Sequence, residues 1–161
     1  MIAFIARLFA SGEPSLSQAG SRDAHDLAKL HAACFRRGWS DEEFARLLLE
    51  QNVVAHRATV AKIIAGFIVS RHAADEAEIL SIAVAASRRG RGLARRMLDL
   101  HLRRLAGLGL RAVLLEVDED NAPARRLYAR AGFHEVGQRE GYYRRPDQSP
   151  SRALILRRDL A

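Results

Sequence analysis

The chain has 161 residues, 48% of them apolar, which is ordinary for one globular domain able to bury a real core. It carries 26 basic against 19 acidic residues, a formal charge of +7, and only Lys29 and Lys62 among the basic residues are lysine. That field suits an acidic partner, whether a polyphosphate, nucleic acid or a ribosomal surface, although the arginines are spread along the chain as a general arginine bias would spread them.

The opening Met1–Phe9 is apolar but short, with no basic residue ahead of it and an interruption at Arg7, so a cleaved signal peptide is not expected. A frayed strand, an amphipathic turn and an oligomer contact all fit it, and the sequence sets no oligomeric state. Residues 11–20 are turn-rich, with Leu16 in a short first strand. A first helix, capped by Ser21 or Asp23, carries Leu27, Leu30 and Cys34 on one stripe to about Phe35. His25 and His31 read as residues of its surface. After the linker Arg36–Ser40, the pair Ser40-x-x-Glu43 forms a capping box with Asp41 and Glu42 in the first turn, predicting a second helix over 41–50.

From Asn52 the pattern turns β-rich. Val53–Thr59 and Lys62–Arg71 read as a hairpin, and Glu76–Val84 as a third strand. A glycine loop and a long helix to Ala106 follow, ended by Gly107 and Gly109. Leu110–Val117 is apolar on both faces, which predicts a central strand. Asn121 caps the next helix, with Pro123 in its first turn and Gly132 past its end. Two last strands fall near 133–140 and 153–159. Cys34 is the only cysteine, which excludes an intrachain disulfide and suits the cytoplasm. The six histidines are scattered, so no metal is expected, and no apolar run approaches the roughly 18 residues of a membrane span.

The organising stretch is Arg89-Gly90-Arg91-Gly92-Leu93-Ala94, running into Arg95-Arg96. Strand, glycine loop and helix come in that order. Two glycines in three residues admit a ligand close to the backbone, and the first amides of the helix point at it. Arg88, Arg89, Arg91, Arg95 and Arg96 crowd the turn, which suits a polyphosphate. The spelling excludes a Walker A loop, which needs lysine, and the dinucleotide fingerprint, which needs glycine where Arg95 stands. An arginine-rich surface turn is the plain alternative. Glu116 sits in an otherwise apolar strand, either as a base in a cleft or as a strand-end carboxylate facing solvent. Tyr128 lies on the following helix, where core packing explains it equally well.

Arg89-x-x-Gly92-x-Ala94 resembles the R/Q-x-x-G-x-G/A signature of the GNAT family of acetyl-CoA-dependent N-acetyltransferases. Leu80–Val84, Leu115-Glu116-Val117, Asn121 and Leu127-Tyr128-x-x-x-Gly132-Phe133 extend the resemblance over about residues 15–159. With Trp39-Ser40 and Tyr142-Tyr143 it looks, more narrowly, like the RimI type, which acetylates the N-terminal alanine of a small-subunit ribosomal protein. The resemblance implies a single α/β domain over 15–161 behind an extension of residues 1–14, with a mixed sheet of about six to seven strands flanked by about four helices. It implies acetyl-CoA as cosubstrate, held by the backbone of Ile82, Ala83 and Val84 and of Gly90 to Arg95, with Arg89 in the motif and Asn121 on the pantetheine arm. Glu116 would be the general base and Tyr128 the general acid, and Trp39, Tyr142 and Tyr143 would wall the acceptor groove. The acceptor would be a protein N-terminus, with no nucleic acid or membrane required. Two departures from the pattern stand out: Ser151-Arg152 before Ala153, where the subgroup has an acidic residue and Asp, and the first ten residues.

Two other functions share part of this pattern. A small-amine or lysine acetyltransferase would differ only in the acceptor cleft, which for a polycation is rich in carboxylates, whereas segments 36–40 and 139–145 are basic and aromatic. A nucleic-acid-binding module would explain the charge but lacks a recognisable motif.

Overall fold

A computed structural model describes residues 12–143 and 151–160, with the backbone alone for 141–143. The elements are β1 (Ser15–Gln18), α1 (Ala24–Cys34), α2 (Asp41–Leu49), β2 (Val53–Val60), β3 (Ile63–Ala73), β4 (Glu76–Val84), α3 (Leu93–Gly107), β5 (Ala112–Asp118), α4 (Ala122–Arg130), β6 (His134–Tyr143) and β7 (Ser151–Asp159). Single 3-10 turns at Ser21–Asp23 and Ala86–Arg88 precede α1 and the glycine loop. The seven strands form one sheet in the order β1-β2-β3-β4-β5-β7-β6. Every neighbouring pair is antiparallel except β4 and β5. Among the described residues this is the mixed seven-stranded sheet with four α-helices that the resemblance implied.

Local chemistry sets the helix ends. Ser40 Oγ accepts the Glu43 amide at 3.1 Å while the Glu43 carboxylate accepts the Ser40 amide at 2.7 Å, so both halves of the capping box form. Asn121 Oδ1 accepts the Ala124 amide at 3.2 Å and starts α4. Asp23 works differently from the expected side-chain cap: its carboxylate accepts the Gly20 amide and pairs with Arg57 of β2, tying the start of α1 to the sheet.

Two cores form, one on each sheet face. On one face α3 and α4 place Met97, Leu98, Leu102, Leu105 and Tyr128 against Ile68, Ile79, Val113, Leu115, Leu154 and Leu156. On the other, α1 and α2 place Leu27, Phe44 and Leu47 against Ala55, Phe67, Val69 and Ala83. Gly66 permits close packing of α3, since a Cβ there would lie 2.8 Å from Met97 Cε.

β4 changes faces along its length. Val69 pairs with Ser81 but Ser70 pairs with Ile79, leaving Leu80 as an extra residue. Ala77 and Ile79 therefore join the α3 side, Leu80 and Ala83 the α1 side, and Ile82 and Val84 return to the α3 side. A bulge, which shifts the period-two alternation by one residue, accounts for the switch.

Three expectations change. His31 is buried, not on the helix surface: its Nδ1 accepts the Trp39 amide at 3.1 Å and its ring stacks on Trp39. The histidines are also not all scattered in space, because His56 and His101 meet at 2.8 Å and His101 Nε2 lies 2.6 Å from Ser70 Oγ, in the core beneath α3. β5 is central in the sheet, yet only its Val113, Leu115 and Val117 face is buried throughout, while on the other face Ala112 is buried but Leu114 and Glu116 are partly exposed. The helices of that second face end over β4 and leave β5 open.

Candidate active site

β4 and β5 pair only through Glu76–Ala112, Ala77–Val113 and Glu78–Leu114. Beyond those rungs the parallel strands share no further pairs, so the backbone of Ile82 to Val84 on one side is separated from that of Glu116 and Val117 on the other. A gap between two central strands leaves peptide groups available to a ligand that no neighbouring strand uses.

The glycine loop lies at the open end of β4. Gly90 and Gly92 have φ of +75° and +78°, and a Cβ on either would meet no atom within 4 Å. The left-handed backbone, not crowding, therefore demands glycine. Gly92 is the N-cap of α3 and offers no side-chain cap, and the first helical bond runs from Arg96 to Gly92. The amides from Arg91 to Arg95 have no acceptor among the described residues. These unpaired amides at the positive end of a 15-residue helix fit the pyrophosphate of a coenzyme A.

The arginines divide their roles. Arg89 turns inward, its Nε donating to the Val84 carbonyl at 3.0 Å and its fork reaching Cys34 Sγ at 3.4 Å, so it braces loop, strand and α1. Arg95 pairs with Asp99 at 2.9 Å, and Arg96 with Glu13 at 3.4 Å. Arg91 points to solvent with no partner among the described residues. The crowding read from sequence is thus mostly structural bracing, and the unpaired loop amides are what the turn leaves open to an anion.

Glu116 and Tyr128 lie on opposite faces of the sheet. The Glu116 carboxylate, with 22% of its side chain exposed, pairs with Arg139 of β6 at 2.9 Å. Tyr128 is buried in the α3 and α4 core with its ring edge-on to Phe133 at 5.6 Å. Asn121 stands at the head of α4, its carbonyl oxygen taken by the cap.

Two clefts meet on the Glu116 face. One of about 380 Å³ is lined by Arg71, Glu76, Glu78, Leu114, Glu116 and Ile155. A second of about 340 Å³ is lined by Trp39, Glu43, Arg46, Glu50, Arg71 and the bulge residue Leu80. Arg71 belongs to both, held by Glu50 through two 3.0 Å hydrogen bonds. Trp39 is half-buried against His31 and Phe44 with part of its ring in the cleft. The side chains of Tyr142 and Tyr143 lie outside the described residues. Of the segment that departs from the pattern, Arg152 is exposed beside Glu119 and Gln138, and Ser151 is buried.

The cleft walls correct one expectation. Segments 36–40 and 139–145 are basic and aromatic, but the lining also brings together Glu43, Glu50, Glu76, Glu78 and Glu116 from three elements. The available signal was Glu76-x-Glu78 at the start of an otherwise apolar strand, where alternation sends both carboxylates to one face.

Comparison with known proteins gives the family. Residues 24–133 match the model of the acetyltransferase (GNAT) family. The chain belongs to that family. That family is one of acetyltransferases, and acetyl-CoA is the cosubstrate its members use. The chain is 31% identical to the [ribosomal protein bS18]-alanine N-acetyltransferase of Haemophilus ducreyi, over 58% of this chain and 64% of that one. It is 32% identical to the mycothiol acetyltransferase of Mycobacteroides abscessus, over 71% of this chain but 43% of that one. The matched region is thus less than two thirds of either relative. The ribosomal-protein-S18-alanine N-acetyltransferase of Escherichia coli superposes with a TM-score of 0.86 at 26% identity, covering 92% of this chain and 95% of that one. No helix among the described residues is long and apolar enough to cross a membrane.

Proposed function

We propose that this GNAT acetyltransferase acetylates the N-terminal α-amine of a protein that begins with alanine or another small residue, with a ribosomal protein as its natural acceptor in the bacterial cytoplasm. The observation that carries this reading is the pair of clefts joined at Arg71 on the open β4–β5 face, with Glu116 in the lining of one and Trp39 in that of the other. A small first side chain fits most easily beside the reacting carbonyl, and the likeness to the Haemophilus and Escherichia alanine N-acetyltransferases supports the same acceptor.

The proposed chemistry uses few groups. An α-amine with a reference pKa near 8 is mostly ammonium at neutral pH and does not attack until it loses a proton. Glu116 accepts that proton, directly or through a water, after the ammonium takes the place of Arg139 on its carboxylate. Acetyl-CoA supplies the activated thioester. The amides of Ile82 to Val84 and of Gly90 to Arg95 bind and orient it, with Asn121 on the pantetheine arm, and the Val84 region polarises the carbonyl as charge develops. The Tyr128 hydroxyl gives a proton to the departing thiolate. Trp39, Tyr142 and Tyr143 hold the acceptor chain.

A small-amine acceptor is the second reading, supported by the mycothiol acetyltransferase match and by the carboxylates in the cleft. Competition at equal concentration among an alanine-first peptide, its N-terminally blocked twin with an internal lysine, and spermidine tests the choice, with mass spectrometry locating the modified nitrogen. The alanine-first peptide should win. Preference for spermidine would select the small-amine reading, and preference for the blocked twin would move the target to lysine side chains.

A further inference from the structure

Five carboxylates border the joined clefts, and four are engaged. Glu43 caps α2 through the Ser40 amide at 2.7 Å. Glu50 holds Arg71 by a two-pronged contact, Glu76 pairs with Arg157 at 2.6 Å, and Glu116 pairs with Arg139 at 2.9 Å. Glu78 is the exception: it is exposed on the cleft wall and has no hydrogen bond or ion pair among the described residues. Its natural partner would be Arg71, its neighbour across the β3–β4 ladder, but Glu50 has already taken that guanidinium. The surrounding bonds thus leave one negative charge uncompensated in the cleft.

Its position relative to Glu116 gives that charge a use. Glu78 pairs in register with Leu114, and Glu116 stands two residues further along β5 on the same face. Two residues of strand span roughly 6.6 Å, the same repeat as an extended peptide. An acceptor whose amine sits at Glu116 therefore brings its second or third side chain within reach of Glu78.

We infer that Glu78 is a specificity-determining residue that selects acceptors with arginine or lysine at position 2 or 3. This rests on the proposed α-amine activity and adds a charge preference to it. A partly solvated ion pair of this kind supports a preference of about fivefold, seen mainly in KM because the contact is present in both the bound and the reacting complex. The preference should shrink as salt rises.

The test is a set of peptides that all begin with alanine and differ only in having arginine, glutamine or glutamate at position 2, then at position 3, assayed with the parent, Glu78→Gln and Glu78→Arg. The readout is the ratio of kcat/KM between peptides, which does not depend on how much of each variant is active. At one of the two positions the parent should favour arginine over glutamine about fivefold, Glu78→Gln should bring the ratio near one, and Glu78→Arg should turn the preference toward glutamate. An arginine preference that survives in both variants, or a parent indifferent to charge at both positions, would overturn the inference while leaving α-amine acetylation standing. No acetylation of any peptide by the parent would overturn the α-amine reading and this subsite with it.

Discussion

Acid should destabilise this protein through a buried imidazole. His101 is fully buried on the inner face of α3, bonded to His56 and Ser70, and burial, reinforced by the neighbouring His56, pushes its pKa down to about 3 from an ordinary 6.5. In the fold this ring stays neutral down to about pH 3, whereas in the unfolded chain it takes up a proton below 6.5. The unfolded state binds more protons between those values, so the contribution is intact above pH 6.5 and is lost as pH falls toward 3. For His101 alone the loss between pH 7.5 and pH 5 is about 2 kcal/mol, a large share of a typical stability of about 5–15 kcal/mol. His56 and His31, both lowered chiefly by burial, act in the same direction. Urea unfolding followed by the fluorescence of Trp39, the single tryptophan, at pH 7.5, 6.5, 5.5 and 5.0 would measure this for the parent and for His101→Gln. The variant leaves His56 and Ser70 short of a partner and should be weaker at pH 7.5 by about 1–3 kcal/mol. Between pH 7.5 and 5 it should nevertheless lose about 2 kcal/mol less than the parent. Parallel pH curves for the two proteins would refute the assignment of acid sensitivity to this ring.

Two further predictions concern the site. Gly92→Val forces a β-branched residue into a left-handed conformation at φ +78° and should weaken coenzyme A binding roughly tenfold or more, while Arg91→Ala, which removes only a solvent-facing charge, should weaken it less. Calorimetry ranks them, and equal affinity for Gly92→Val and the parent would remove the loop from the site. Glu116→Gln should lower turnover most at acidic pH, where the amine is hardest to deprotonate, with coenzyme A affinity nearly intact. Tyr128→Phe should slow the reaction by ~10²–10⁴ if general acid catalysis has its usual strength. Turnover within twofold of the parent in either variant would show that its role was misassigned.

Local rules made most of the fold legible from the chain alone. Ser40 and Glu43, Asn121, Gly109 and Gly132 mark helix ends because their chemistry acts within a few residues, and the β-rich run Glu76–Val84 marks a strand of that extent. The strand, glycine loop and helix around Gly92 were visible for the same reason, since the left-handed turn and the free amides belong to one short segment. Only the tertiary structure could decide what depends on distant partners. His31 is buried because Trp39 and Phe44 close over it, and His56 meets His101 because α3 crosses β2, neither of which has a local signature. β5 has a two-sided apolar pattern, yet one face is left open because α1 and α2 extend no further than β4. The bulge at Leu80 is set by pairing register, which a single strand does not encode. Glu78 is the sharpest case: its residue type was plain in the chain, but its freedom follows from Glu50 holding Arg71 across three elements, a competition among side chains that only the assembled sheet and helices bring together.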